Sequence, residues 1–472
     1  MKDYPDSGVI AIGAAGENLV RFSLAITDNT STLGRNGLGA VFGSKNLKAV
    51  VTRGSQGVNV KDPKRLLRLV GKIHKEILAH PGTKPHQEIG LHANWEVYRN
   101  TMNPGIWSQE KWNQYYGPEV AKSAIFENLP CTGCLLGCRS TFKFDTDVEN
   151  NEITYTGTFL HLANIGQVSG LTRWQDAAVI LHRCNQVGMS VVEFRGIIRY
   201  LSLAAADHPE VKALRLEEGL PAYQRLLDLI ISRRGIGEVL ANGWAAMAEA
   251  FGSDPGQYLS LVKGAACTYD ARATKLDAVR FHIVVNPRGA MHGQGHSTTS
   301  VPLREPEDII QELKRMGLAD QDIKRIIDDR NLNVGRLTRH VQDSGMVMDS
   351  LGVCIMYNIP GFLHLDNLSE IYSAVTGLET SPGDLKQSGE RSFNLLKTLN
   401  ARAGFGRADD TFPQIWLQPK NTPDGIEYLD DYYRNKHLSA NDLEQILTDY
   451  YEERGWDPKS GLPYPQTVDK QL

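Results

Sequence analysis

The stretch PCTGCLLGC, residues 130–138, sets Cys131, Cys134 and Cys138 in a C-x2-C-x3-C spacing. Three thiolates from one turn-rich segment can bind three irons of a [4Fe–4S] cube, and a fourth ligand must come from elsewhere in the chain. The candidates are Cys184, Cys267 and Cys354. Cys184 lies mid-helix beside apolar residues and Cys267 has no cysteine near it, so both read as small buried hydrophobes. Cys354 closes DSLGVC, residues 349–354, behind a loop glycine. Spacing leaves it open between ligand and packing. A structural zinc site is the competing reading of the three cysteines. Zinc usually takes its ligands as two pairs, and the chain holds no second C-x2-C. Soft thiolates stabilise an iron cluster and set its potential.

Around this segment the composition is that of an ordinary globular protein. The chain has 472 residues, enough for roughly two to four domains. Its net charge is −4, with no lysine/arginine block and no aromatic ladder between basic residues, so nothing calls for nucleic acid. No run approaches ~18 apolar residues, so no spanning helix and no membrane partner are expected. The start, MKDYPDSGVIAIG, has no basic region ahead of an apolar one, which argues against a signal peptide and makes the cytoplasm the default location. Six cysteines are too few for a disulfide scaffold, and clustered cysteines in a reducing compartment more often bind metal.

Val9 to Ile12 and Leu47 to Thr52 read as strands, with the glycine-rich GRNGLGAVFG (residues 34–43) between them. From Asp62 the pattern turns helical. Asp62–Pro63 is a helix start, followed by Leu66, Leu69, Val70, Ile73 and Ile77 at spacings of three and four. Thr172 and Gln175 fit a capping box for a helix carrying Ala178, Leu181 and Val187, with Gly188 as its left-handed stop. Pro221–Ile231, Asp384–Arg402 and Ser439–Arg454 read as further helices, the last stopped by Gly455. Residues 252–256 and 418–425 read as surface loops. The expected fold class is mainly α, with an N-terminal β/α element.

Several segments resemble one family, the aldehyde ferredoxin oxidoreductases. They are AIGAAGENLVRF (11–22), GRNGLGAVFGSKNLKAV (34–50), PCTGCLLGC, NPRGAMH (286–292), DSLGVC, NARAGFGRADDTFP (400–413) and YYEERGWDPKSGLP (450–463). The resemblance implies three regions. Residues 1–55 would be the C-terminal part of a pterin-binding β domain, 56–260 a helical domain carrying the cysteine motif, and 261–472 a helical domain carrying DSLGVC. It also implies tungsten (or molybdenum) held by the dithiolenes of two pterins, beside a [4Fe–4S] cube on Cys131, Cys134, Cys138 and Cys354. Gly34, Arg35, Asn185, Gly188, Asp349, Gly352 and Val353 fall at pterin-contacting positions. His292 falls at the active-site histidine, and Tyr155 and Thr156 fall at a dipeptide near the metal. The implied reaction oxidises an aldehyde to a carboxylic acid and passes electrons to ferredoxin or another low-potential carrier.

The sequence departs from the family pattern in ways that bear on function. It begins where the family already has a substantial β-rich stretch behind it, so a homodimer or a partner subunit supplying that part is an open expectation. The family's D-x-x-G-L-D reads NQVGMS at residues 185–190, and both negative charges are gone. The family's tyrosine–glutamate pair reads Tyr155–Thr156, and threonine cannot do a carboxylate's proton chemistry. Ser31, Thr32 and Leu33 replace the family's arginine–alanine pattern before Gly34. Loss of the glutamate resembles the tungsten subunits of benzoyl-coenzyme A reductases. Two alternatives therefore stand beside aldehyde oxidation: a low-potential reductase subunit, and a non-catalytic iron–sulfur subunit.

Overall fold

The computed structural model describes residues 6–28, 31–95, 105–145, 152–300 and 303–465. The chain divides into two compact units. Unit 1 is Met1–Gly57, His80–Ala266 and Asn421–Ile426; unit 2 is Val58–Ala79, Cys267–Lys420 and Glu427–Leu472. Helices dominate both, as the periodicity predicts.

Unit 1 opens with an antiparallel sheet of β1 (Gly8–Ile12), β2 (Ala25–Thr27), β3 (Ser31–Leu33) and β4 (Ala49–Thr52), in the order β3-β2-β1-β4. Ile12 pairs with Ala25, and Val9 with Val51. The short helix Ala14–Glu17 packs on α1 (Leu38–Ser44) almost backbone to backbone. A Cβ on Gly43 would lie 2.0 Å from the Gly16 carbonyl oxygen, and one on Gly39 would lie 2.6 Å from that of Leu24. This close approach is why GLGAVFG carries its glycines. Gly43→Ala is expected to destabilise unit 1 by about 1–3 kcal/mol. A urea midpoint equal to wild type would contradict that packing.

Backbone hydrogen bonds tie this segment to the helices. Leu24 N–H donates to the Gly188 carbonyl (2.7 Å), and Ser190 N–H donates to that of Phe22 (3.1 Å). The unit's apolar core is built by α2 (Phe159–Ser169), α3 (Trp174–Val187), α4 (Val191–Leu203) and the helix Leu220–Ser232. Phe159, Ile165, Ile180, Phe194, Ile197 and Leu226 are almost wholly buried there. Gly188 ends α3 in the left-handed conformation, as expected. The capping box at Thr172 does not form. The cap residue is Arg173, without a side-chain bond, and the helix begins at Trp174. The Trp174 ring packs edge-on against Phe144 (5.3 Å) and tilted on Phe142 (6.1 Å). That tertiary contact accompanies a start two residues beyond Thr172. A second antiparallel sheet was not foreseen: β5 (Glu127–Asn128), β6 (Ser140–Asp145) and β7 (Glu152–Gly157).

In unit 2, α6 (Val334–Leu351) is the central element, buried along most of its length and packed by α5 (Ala278–Val285), α7 (Pro382–Arg402) and α8 (Ala440–Arg454). The caps expected at Asp62 and Gly455 are present. Asp62 Oδ1 accepts from Arg65 N–H (2.9 Å), Ser439 and Asp442 form a capping box, and Gly455 stops α8. The stretch 418–425 is not simply a loop, because Lys420–Thr422 pairs with Gly425–Glu427 as a hairpin. Residues 252–256 run into a short 3-10 turn, Pro255–Gln257, capped by Asp254.

Several histidines are buried uncharged. Burial lowers His92 from 6.5 to about 4 and His296 to about 3, and it drives His282 well below 6.5. Each folded-state value lies below the unfolded one, so the unfolded chain binds more protons as pH falls through 6.5. The stability contributed is present above pH 6.5 and is lost progressively toward pH 3–4. The urea midpoint is expected to be flat above pH 7.5 and to drop by pH 5. A midpoint unchanged at pH 5 would show that these imidazoles charge freely in the folded state.

Candidate metal and cofactor centre

The cysteine motif occupies the connection between β5 and β6. Its ends are clamped by Leu129 N–H donating to the Arg139 carbonyl and Phe126 N–H to that of Thr141, both 2.9 Å. Cys134 N–H donates to the Cys131 carbonyl (2.9 Å), a tight turn whose third residue, Gly133, has φ +72°. Glycine accepts that conformation without strain. Two side chains outside the motif staple the loop. Asn128 Nδ2 donates to the Gln87 carbonyl (2.6 Å) and also faces that of Gly137 (3.3 Å). Gln87 Nε2 donates to the Leu135 carbonyl (2.9 Å), while Leu136 is buried beneath. Cys131 is exposed, and Cys134 and Cys138 are half-buried. Neither Asn128 nor Gln87 carries a local sequence signal.

Gly34 and Arg35 follow β3. Arg35, Asn36 and Gly37 take successive left-handed φ values of 66°, 52° and 78°. The first two are non-glycine residues in a region that costs them roughly 1–2 kcal/mol each. Arg35 is buried, and its guanidinium lies 3.5 Å from Glu193 Oε1 and donates to the Ala266 carbonyl. Glu193 also accepts from Trp244 Nε1 (2.7 Å) and Ala266 N–H (3.1 Å). Burial pushes the Glu193 carboxyl up, against the Arg35 charge and these donors. No local motif marks Glu193 as the anchor of the glycine-arginine segment.

Asn185 is exposed in the last turn of α3, and Gly188 beside it is buried. Ser190, which stands where the family pattern has its second aspartate, caps α4: its Oγ accepts from Glu193 N–H at 3.5 Å. Tyr155 lies in the core of unit 1, stacked on Phe142 across the β6–β7 ladder with centroids 5.7 Å apart. Burial pushes its phenol well up. Thr156 is half-buried opposite Thr141.

In unit 2, His292 is half-buried just before the 3-10 turn Gly293–Gly295. Its ring meets Tyr269 edge-on (5.1 Å) and His296 edge-on (5.3 Å). Asn286 braces the NPRGAMH segment, accepting from Arg288 N–H (2.9 Å) and donating to the Met291 carbonyl (3.0 Å). Asp349, in the last turn of α6, is 40% exposed and lies 3.3 Å from Arg288 Nη2. Gly352 and Val353 close the helix with N–H bonds to the carbonyls of Asp349 and Met348. Cys354 follows directly and is exposed.

Among the described residues, no three His, Cys, Asp or Glu side chains form a ready metal-ion site. The donor set nonetheless fits an iron–sulfur cube in its chemistry. Three sulfurs sit on one stapled loop, turned by glycine and open to solvent on one side.

A profile described as "Aldehyde ferredoxin oxidoreductase, domains 2 & 3" matches residues 68–471, and one for the N-terminal domain of the same family matches residues 1–54. The chain belongs to the aldehyde ferredoxin oxidoreductase family. It is similar to the tungsten-containing aldehyde ferredoxin oxidoreductase of Pyrococcus furiosus, at 25% identity over 96% of this chain and 72% of that protein. It is also similar to the aliphatic sulfonate oxidoreductase WOR-like subunit of Pyrococcus furiosus, at 24% over 100% and 71%. Among solved structures, the active-site complex BamBC of benzoyl-coenzyme A reductase with 1,5-dienoyl-CoA matches its fold. The TM-score is 0.75 at 20% identity, covering all of this chain and 74% of that one. The mainly α architecture is thus that of an aldehyde ferredoxin oxidoreductase. Among the described residues of this family member, no helix is long and apolar enough to cross a membrane.

Proposed function

We propose that the chain is a tungsten–pterin, iron–sulfur oxidoreductase that oxidises an aldehyde to a carboxylic acid and passes the electrons to ferredoxin or a similar low-potential carrier. The observation that carries this is the three-thiol loop, stapled by Asn128 and Gln87, whose C-x2-C-x3-C spacing lacks the second pair that a structural zinc usually takes. Cys131, Cys134 and Cys138, with Cys354, would hold the cube. Gly34, Arg35, Asn185, Gly188, Asp349, Gly352 and Val353 would contact the pterins. Because the Arg35 guanidinium is engaged by Glu193 and Ala266, backbone N–H groups of residues 34–37 would do the binding there. When bound, the bis-pterin metal would supply the two-electron redox chemistry at the carbonyl carbon. His292 would take up or release the proton on a ring nitrogen, with Tyr269 and His296 holding the ring's plane. Tyr155 would support the Thr156 strand by packing.

A second reading has a specific observation behind it. Thr156 places a hydroxyl where the family pattern has a carboxylate, which removes a proton carrier for aldehyde hydration. This favours a low-potential reductase subunit acting on a thioester-linked carbonyl or ring, with a partner subunit delivering electrons. The fold shared with a benzoyl-coenzyme A reductase complex is compatible with it. The test is viologen reduction by anaerobically purified, tungstate-loaded protein with a panel of aldehydes. Aldehyde-dependent reduction is expected. Metal-loaded protein inert to every aldehyde would shift the reading to the reductase, and protein with iron and no tungsten would leave a bare cluster subunit.

A further inference from the structure

Lys275, Arg304 and Arg434 gather in unit 2 with no carboxylate to balance them. Lys275 is 6% exposed, and among the described residues its ammonium makes no hydrogen bond and no ion pair. It rests instead on the face of Tyr432, with Nζ 3.9 Å from the ring centroid. That ring is fixed by its hydroxyl, which accepts from Arg304 N–H (3.2 Å) and donates to the Thr299 carbonyl (3.1 Å). Arg304 Nε donates to the Thr298 carbonyl, and Arg434 Nε donates to that of Thr274, the residue before Lys275, both at 3.0 Å. Each guanidinium is thus pinned at Nε, and its two terminal nitrogens have no partner among the described residues.

The carboxylates nearest along the chain are committed elsewhere. Asp277 Oδ1 accepts from Arg280 N–H (3.0 Å) at the start of α5, and its Oδ2 takes the Arg280 guanidinium. Glu305 pairs with Arg330, Asp430 holds His437 (2.6 Å), and Asp431 accepts from Asn435 N–H (2.7 Å). A buried ammonium held only by a ring face is costly. Burial lowers Lys275 from 10.5 to about 8, with Asp277 opposing the shift and Arg280, Arg434 and Arg304 adding to it. An anion would satisfy the whole group. One point charge beside two arginine forks is the donor pattern that suits a phosphate.

The cluster adjoins the candidate active site. The Arg280 guanidinium stands 5.0 Å from the centroid of the Tyr269 ring, and His292 meets the same ring edge-on at 5.1 Å. One loop also joins the two places, because Thr298, which holds Arg304, lies six residues after His292. Six residues span at most about 22 Å. The loop's path is set by Ser297 and Thr299, both almost wholly buried, with Thr299 N–H donating to Ser297 Oγ (3.2 Å).

We infer that Lys275, Arg304 and Arg434 form an anion site for a phosphate group carried by the substrate, whose reacting carbonyl reaches His292. The inference rests on the reading of His292 as the active-site histidine, and it names the substrate class as a phosphorylated carbonyl compound.

Calorimetric titration of the full chain with inorganic phosphate, at ionic strength held constant with chloride, tests the site. Wild type is expected to bind phosphate, and Arg434→Gln is expected to weaken binding about 10-fold. Arg434 is exposed, so this variant keeps the fold. Lys275→Met, an apolar chain in place of a buried ammonium, is expected to weaken binding at least as much with an unchanged circular dichroism spectrum. Wild type that binds no phosphate, or binding that R434Q and K275M leave unchanged, overturns the inference. Binding by the metal-free chain that vanishes in tungstate-loaded enzyme also overturns it, because the occupant is then a phosphate of the pterins. The substrate arm follows viologen reduction by loaded enzyme with a series of aldehydes of increasing length, each with and without a terminal phosphate. For at least one length, the phosphorylated member is expected to have a KM about 10-fold lower at similar kcat, a difference that R434Q erases. Equal KM values throughout the series overturn the assignment to substrate. If no aldehyde is oxidised while phosphate binding stays sensitive to R434Q and K275M, the aldehyde reading has failed and the anion site stands.

Discussion

Exchanging Cys134 for serine is expected to strip the chain of its cluster, dropping iron from about four atoms per chain to near zero. A serine hydroxyl is a poor ligand for iron beside thiolates, because it is hard and remains protonated near neutral pH. The loop itself should keep its shape. Its clamps are Asn128, Gln87 and the buried Leu136, and none of them uses the Cys134 sulfur. Helical content should therefore match wild type while the brown absorbance and all electron transfer to viologen disappear. Cys184→Ser is the control, since that thiol is fully buried in the unit 1 core and burial pushes it up to about 12. The control should retain its iron. Wild-type iron in C134S, or iron loss in C184S alone, would move the cluster away from the loop.

Asp343→Ala is expected to destabilise unit 2 by about 3–5 kcal/mol. Its carboxylate is 0% exposed and faces Arg454 at 2.6 Å and Arg339 at 3.2 Å. Removing it leaves guanidinium charge in the interior with no counterion, so the cost is that of an uncompensated buried cation rather than of one lost bond. Lys48→Ala is the contrast. Lys48 pairs with Glu17 at 2.7 Å, but the two side chains are 60% and 49% exposed, and such pairs contribute about 0–1 kcal/mol. Guanidinium denaturation should show a large midpoint shift for D343A and almost none for K48A. Equal shifts would mean that the Arg454–Asp343 contact is not the anchor it is taken to be.

What the sequence shows well is local. Asp62 ahead of Pro63, and Gly188 and Gly455 at helix ends, carry their signals within one turn of backbone, and each does the capping expected of it. The family's motif order leads to the mainly α fold. The β5–β6–β7 sheet escaped notice although Phe142 and Phe144 alternate with polar residues, because its pairing partner lies beyond the cysteine loop and a further connection. Thr172–Gln175 has the letters of a capping box, but the helix starts at Trp174, where the indole packs on Phe142 and Phe144. The altered NQVGMS reads in sequence as two lost charges; in the fold Ser190 serves as the cap of α4. Glu193 and Asn128 were invisible for one shared reason. Each acts on a residue or loop far along the chain, and no periodicity or spacing records such a contact.

The cysteine loop and DSLGVC gripping one inorganic cluster is the claim on which the rest depends. Protein purified without oxygen from a tungstate-fed host, assayed for iron and tungsten and then reduced for EPR, tests it most directly. The predicted result is brown protein with about four irons per chain, accompanying tungsten, and a reduced-cluster signal that Cys354→Ser abolishes. Colourless protein, or a signal that persists unchanged in C354S, would contradict it.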